Sequence, residues 1–193
     1  MYKFFALTVM VVLGLSSLLA TAAELSPGDA APEFGPLEGV DGKNYSTANT
    51  KQAKALVIAF TCNECPVAIA YQDKFNEFAK KYSKQGVAFI AINSNNATEN
   101  LAAMKEHAEK SGFAFPYVFD KSGEVADAFG AKVTPHVFVL DAQRKLVFSG
   151  PFDNKQTGAT KHFVDEAVTA ALAGKTPEVA KARPFGCGIH KTK

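Results

Sequence analysis

The chain predicts an α/β domain with a mixed central sheet, helices on both of its faces and an N-terminal β-hairpin extension. Three observations lead there. Short apolar runs alternate with helical patterns from residue 55 to about residue 130, and such βαβ units give parallel strands. Two later runs, 137–140 and 145–148, are joined by a short turn, Asp141 to Arg144, and so give antiparallel strands. Residues 24–50 are rich in Pro, Gly and Asp, and their apolar positions Phe34, Leu37, Val40 and Tyr45 suit a short hairpin beside the sheet.

The first 23 residues stand apart. Met1-Tyr2-Lys3 is a short basic start, Phe4 to Ala20 is largely apolar, and Ala20-Thr21-Ala22 or Thr21-Ala22-Ala23 offers small residues for cleavage. This pattern predicts a secretory signal peptide over 1–23, with an uncleaved membrane anchor as the alternative. The expected location is periplasmic or secreted, where disulfides persist. The domain is expected over 24–180, followed by a tail over 181–193 that contains Cys187.

Within the domain, Ala55 to Phe60 is an apolar strand. Val67, Tyr71, Phe75, Phe78 and Tyr82 then recur at helical spacing, predicting a helix from about 63 to 84 that stops near Gly86. A buried strand is expected over 87–92, then a helix capped by Asn96 or Thr98 that carries Leu101, Met104 and Ala108. A strand over 116–119 follows, then a short helix from Ser122 closed by Gly130. Thr160 is the expected cap of a last helix with Phe163, Ala167, Val168 and Leu172.

The chemistry is concentrated in Cys62-Asn63-Glu64-Cys65-Pro66, at the junction of the first long strand with its helix. In a sheet of this kind the reactive group belongs at the carboxyl end of a central strand. There the free N–H groups and the helix dipole favour a thiolate. A thiolate with a second thiol one turn away can attack a disulfide and then release the product by closing its own ring. A bridge across so short a loop constrains the unfolded chain little, so redox use fits the pair better than stapling. Cys62 is expected to be the more exposed, attacking sulfur and Cys65 the resolving one. Glu64, between them, is expected to oppose thiolate formation and favour a reducing poise.

Cys-x-x-Cys after a strand, followed at distance by Val133-Thr134-Pro135-His136-Val137, resembles the thioredoxin superfamily. The opening Pro27-Gly28-Asp29-Ala30-Ala31-Pro32-Glu33-Phe34 and the insert near 95–115 are similar to its redoxin branch, which includes alkyl hydroperoxide reductase/thiol-specific antioxidant proteins and secreted thiol–disulfide oxidoreductases. The resemblance covers about residues 26–173. It implies a thioredoxin-like fold, a cis Pro135 beside the cysteines, and a Thr134 backbone offered to a substrate peptide. The activity implied is dithiol/disulfide exchange with protein partners, fed by a protein electron donor that could be membrane-bound. No organic cofactor is implied and no metal is assigned.

Two departures from thioredoxin stand out. Thr61 precedes the first cysteine where Trp is expected, and the chain has no Trp. Leu56 occupies the place of thioredoxin's buried carboxylate, so a proton acceptor must come from elsewhere or be water. A thiol peroxidase is the alternative reading, with Cys65 peroxidatic, but it needs an arginine where Thr134-Pro135 stands, and the chain's arginines are Arg144 and Arg183. A copper-binding assembly chaperone using Cys62, Cys65 and His136 is a further alternative, although such chaperones have three residues between their cysteines. Cys187, in Gly186-Cys187-Gly188, makes the cysteine count odd and is a candidate third redox thiol on a segment expected to be flexible. A net charge of +2 gives no ground for nucleic-acid binding.

Overall fold

The computed structural model describes residues 25–192, so the predicted leader lies outside the described residues. In chain order the elements are β1 (Leu37–Gly39), β2 (Asn44–Tyr45), β3 (Ala55–Phe60), α1 (Pro66–Ile69), α2 (Gln72–Ser83), β4 (Val87–Asn93), α3 (Leu101–Lys110), β5 (Tyr117–Phe119) and α4 (Glu124–Phe129). They continue with β6 (Val133–Thr134), β7 (His136–Leu140), β8 (Leu146–Gly150), α5 (Phe163–Leu172) and β9 (Cys187–Gly188). The main sheet has the order β2-β1-β5-β4-β3-β7-β8. Strands β3, β4 and β5 are parallel, and β7, β8 and the β1–β2 hairpin are antiparallel to their neighbours. The hairpin extends the sheet through β5, as the sequence predicts.

Side-chain alternation along β3 sorts the core into two faces. Ala55, Val57 and Ala59 lie in one cluster with Phe75, Phe78 and Tyr82 of α2, Met104 of α3, and Val164, Ala167 and Val168 of α5. Leu56, Ile58 and Phe60 lie in the other with Ile90, Ile92, Phe138 and Phe129 of α4. All six β3 residues are fully buried, as a strand covered on both faces must be. Phe60, Phe129 and Phe138 meet edge-on or tilted, with centroids 5.3–5.8 Å apart, which is favourable aromatic geometry.

The predicted helix over 63–84 is two helices. Cys65 precedes a proline, which disfavours the helical region, and it is extended at φ −72°, ψ 118°, so α1 begins only at Pro66. At Tyr71 the chain tightens, with its N–H bonded to Ala68 O, before α2 starts; the Tyr71 ring is buried against Phe75 and Phe152. Two predicted caps also move. Asn100, not Asn96 or Thr98, caps α3 by accepting from Ala103 N at 3.0 Å. The residue before α5 is His162; Thr160 instead bonds Asn154. Gly130 closes α4 at φ +69°, as expected of a left-handed C-cap.

Candidate active site

The motif follows directly from β3. Thr61 N–H donates to Ile92 O at 2.9 Å, which carries the β3–β4 ladder one residue past the strand and sets Cys62 at its carboxyl end. The Thr134–Pro135 peptide is cis and lies between β6 and β7. Both thiols converge on Thr134. Cys62 Sγ is 3.1 Å from Thr134 Oγ1, and Cys65 Sγ, when protonated, donates to Thr134 O at 3.2 Å. Cys62, Cys65 and Ala68 form a small buried cluster with Val67 and Cys187 packed against it.

The structure does not make Cys62 the open thiol: Cys62 and Cys65 are 2% and 3% exposed. Their electrostatics differ. Burial pushes Cys62 up, and the Glu99 and Cys65 charges add to this, outweighing Thr134 and the Cys65 amide. Burial also pushes Cys65 up, but the Cys187 thiol, the amides of Ala68 and Cys187 and the Thr134 side chain more than offset it, so Cys65 lies below the ordinary thiol value. Cys65 is thus the more acidic of the two thiols, whereas the sequence reading assigns the attack to Cys62. Cys187 is held up to about 11 by its hydrogen bond to Cys65 first and by burial second.

The carboxylate that acts on the motif is not Glu64, which is exposed and does not enter the balance of either thiol. It is Glu99, 6% exposed, which sequence reasoning missed. Both its oxygens accept from Asn63 N at 3.1 Å, and one accepts from Asn93 Nδ2 at 2.8 Å. Tyr117 OH accepts from Asn93 Nδ2 at 2.8 Å and donates to Asn63 Oδ1 at 2.9 Å, closing a buried network behind the cysteines. The available signal was the polar run Asn93-Ser94-Asn95 directly after a wholly apolar strand.

The other candidates separate. His136 bonds Ser149 Oγ through Nε2 at 3.0 Å and lies on the Phe138 ring. Among the described residues no group of three or more His, Cys, Asp or Glu is arranged to hold a metal, so the Cys62–Cys65–His136 site expected of a copper chaperone is not assembled. Arg144 is tied to the carbonyls of Thr50, Ala53 and Asp141, at the amino end of β3, and Arg183 is exposed. The segment around Cys187, expected to be flexible, is a strand: β9 pairs antiparallel with β6, with Cys187 opposite Thr134.

A thioredoxin-like fold with a dithiol at the carboxyl end of its central strand, against a cis proline, defines an oxidoreductase of the thioredoxin-fold class. The redoxin family model matches residues 26–168, and the chain belongs to that family. A solved structure of a hypothetical protein from Sinorhizobium meliloti 1021 is 34% identical, with a TM-score of 0.81, over 88% of this chain and 97% of that one. A thioredoxin-family thiol:disulfide interchange protein from Chlorobium tepidum TLS is 25% identical, with a TM-score of 0.60, over 78% and 99%. A thiol–disulfide oxidoreductase ResA from Geobacillus thermodenitrificans is 29% identical over 122 residues, 62% of this chain and 66% of that protein. The chain thus spans about two thirds of the length of that relative.

Proposed function

We propose that the chain is an extracytoplasmic thiol–disulfide oxidoreductase that exchanges Cys62 and Cys65 with protein disulfides. The observation that carries this reading is the convergence of both sulfurs on Thr134 beside the cis Thr134–Pro135 bond. The relatives called thiol–disulfide oxidoreductase support it. The basic start and apolar run of the first 23 residues support the location. No helix among the described residues is long and apolar enough to cross a membrane.

The thiolate is the nucleophile in exchange, so Cys65 opens the reaction. Its sulfur attacks one sulfur of the client disulfide; a mixed disulfide forms and the other client sulfur leaves as a thiolate that takes up a proton. Cys62 then gives up its proton and attacks Cys65 Sγ. The Cys62–Cys65 bond forms, the second client sulfur leaves, and the client has gained two electrons. A protein dithiol donor returns the pair to the reduced state. Thr134 and Pro135 form the floor on which the client segment lies. Peroxide reduction is disfavoured because Arg144 is engaged at the other end of β3.

The test is stopped-flow reduction of a disulfide-containing protein by the pre-reduced chain, with acid quench and peptide mapping. The proposal requires two client thiols to appear for every intramolecular disulfide formed at Cys65. Client reduction without that bond, or no client reduction at all, refutes it.

A further inference from the structure

The exchange just described leaves Cys187 without a part, yet the fold brings it to the reacting sulfur. Strand β9 is held at several points. Ile189 N donates to Lys132 O at 3.1 Å, and its side chain packs against the core face that holds Phe129. Ala97 N donates to His190 O at 3.2 Å, and His190 N donates to Asn95 Oδ1 at 3.0 Å, which ties the tail to the network around Glu99. Gly186 is the enabling residue. At φ +149° it passes so close to the cis-proline loop that a Cβ there would lie 1.9 Å from Thr134 O. Only glycine permits this approach. The result places Cys187 N 3.4 Å from Cys65 Sγ and packs the Cys187 side chain against the buried cluster of Cys62 and Cys65.

We propose that Cys65 has two alternative disulfide partners, Cys62 and Cys187, and that the oxidised centre passes between them by internal exchange. The idea rests on the exchange reading above. Cys187, deprotonated, attacks Cys65 Sγ of the Cys62–Cys65 disulfide. The Cys65–Cys187 bond forms as the Cys62–Cys65 bond breaks, and Cys62 leaves as a thiolate that takes the proton Cys187 lost. One disulfide is consumed and one is made, so no outside oxidant is needed. The consequence is one of access. Cys62 and Cys65 are buried, whereas Cys187 is half-exposed. Moving the bond to the tail places one of its sulfurs at the half-exposed Cys187, where a protein donor reaches it more readily than the interior pair.

The experiment oxidises the full chain with glutathione disulfide, quenches in acid, alkylates, and maps the linked peptides by mass spectrometry. The wild-type chain gives both Cys62–Cys65 and Cys65–Cys187 products. Cys62→Ser gives an intramolecular Cys65–Cys187 bond at a rate independent of protein concentration. Adding Gly186→Val to Cys62→Ser lowers that rate by about tenfold or more, because the tail loses its high effective concentration. Ile189→Ala, which loosens the same strand without adding bulk, lowers it less. A Cys62→Ser chain that ends as glutathione adducts with no Cys65–Cys187 bond overturns the proposal. So does an equal rate with and without Gly186→Val, which marks a chance collision of a loose tail. Reduction of a peptide disulfide by the wild-type chain is read on the same preparation. Its loss refutes the exchange reading, while turnover with no Cys65–Cys187 bond refutes this inference alone.

Discussion

The middle of the sheet and the carboxyl end of the same strands are built on different rules. In the middle, Val57, Ile58, Ile90 and Ala91 are buried among Phe75, Phe78, Phe129 and Phe138, with no polar side chain among them. One turn further on, the buried side chains are Thr61, Asn93, Ser94, Asn95, Glu99, Asp120, Thr134 and His136. Buried polar groups cost stability unless they are hydrogen-bonded, and here Asn93, Ser94, Asn95, Glu99 and Asp120 bond one another or the backbone. The middle supplies burial and therefore stability. The end is organised around hydrogen bonds that hold Asn63, Thr134 and two sulfurs in place.

The comparison predicts that stability and chemistry can be damaged separately. Cys65→Ser is expected to lower client reduction by about a thousandfold or more, because it removes the nucleophile, while the urea unfolding midpoint changes little. Phe75→Ala, in the middle, is expected to cost about 3–5 kcal/mol in urea unfolding. Where that chain remains folded, its Cys62–Cys65 exchange is retained. Equal loss of activity and stability in both variants would break the distinction.

Within the polar end, Glu99→Gln keeps an acceptor for Asn63 N–H but removes a charge that adds to burial in raising Cys62. Its expected effect is a lower Cys62 alkylation midpoint, read from the pH dependence of iodoacetamide labelling at each cysteine. In the unaltered chain the thiolate fraction of each cysteine grows as pH rises through its pKa, so Cys65 labels first and Cys187 last, near 11. Glu64→Gln has the smallest expected effect, with both midpoints of the motif unchanged, because its carboxylate is solvated. A Glu64→Gln shift as large as that of Glu99→Gln would return the electrostatic role to the motif itself.

The apolar middle was legible in the sequence because burial on both faces forces long runs such as Ala55 to Phe60 and regular steps such as Phe75, Phe78 and Tyr82. The motif and Thr134-Pro135 were legible as local patterns. The supports of the site were not. A glutamate in a loop reads as solvated, and nothing local to Glu99 shows that Asn63, Asn93 and Asn95 will surround it. Strand β9 is two residues long, too short for any period, and its pairing with β6 is set by contacts across the fold. The break at Tyr71 similarly depends on a buried ring packed against Phe152, far along the chain.

The most direct test asks which sulfur takes the client. Reduced Cys62→Ser and Cys65→Ser chains, both keeping the Cys187 that lowers Cys65, are mixed with a disulfide peptide, quenched in acid at short times, and mapped for mixed disulfides and for the Cys65–Cys187 bond. The account predicts rapid capture at Cys65 in the first chain and much slower capture at Cys62 in the second. Rapid capture at Cys62 with none at Cys65 would contradict it.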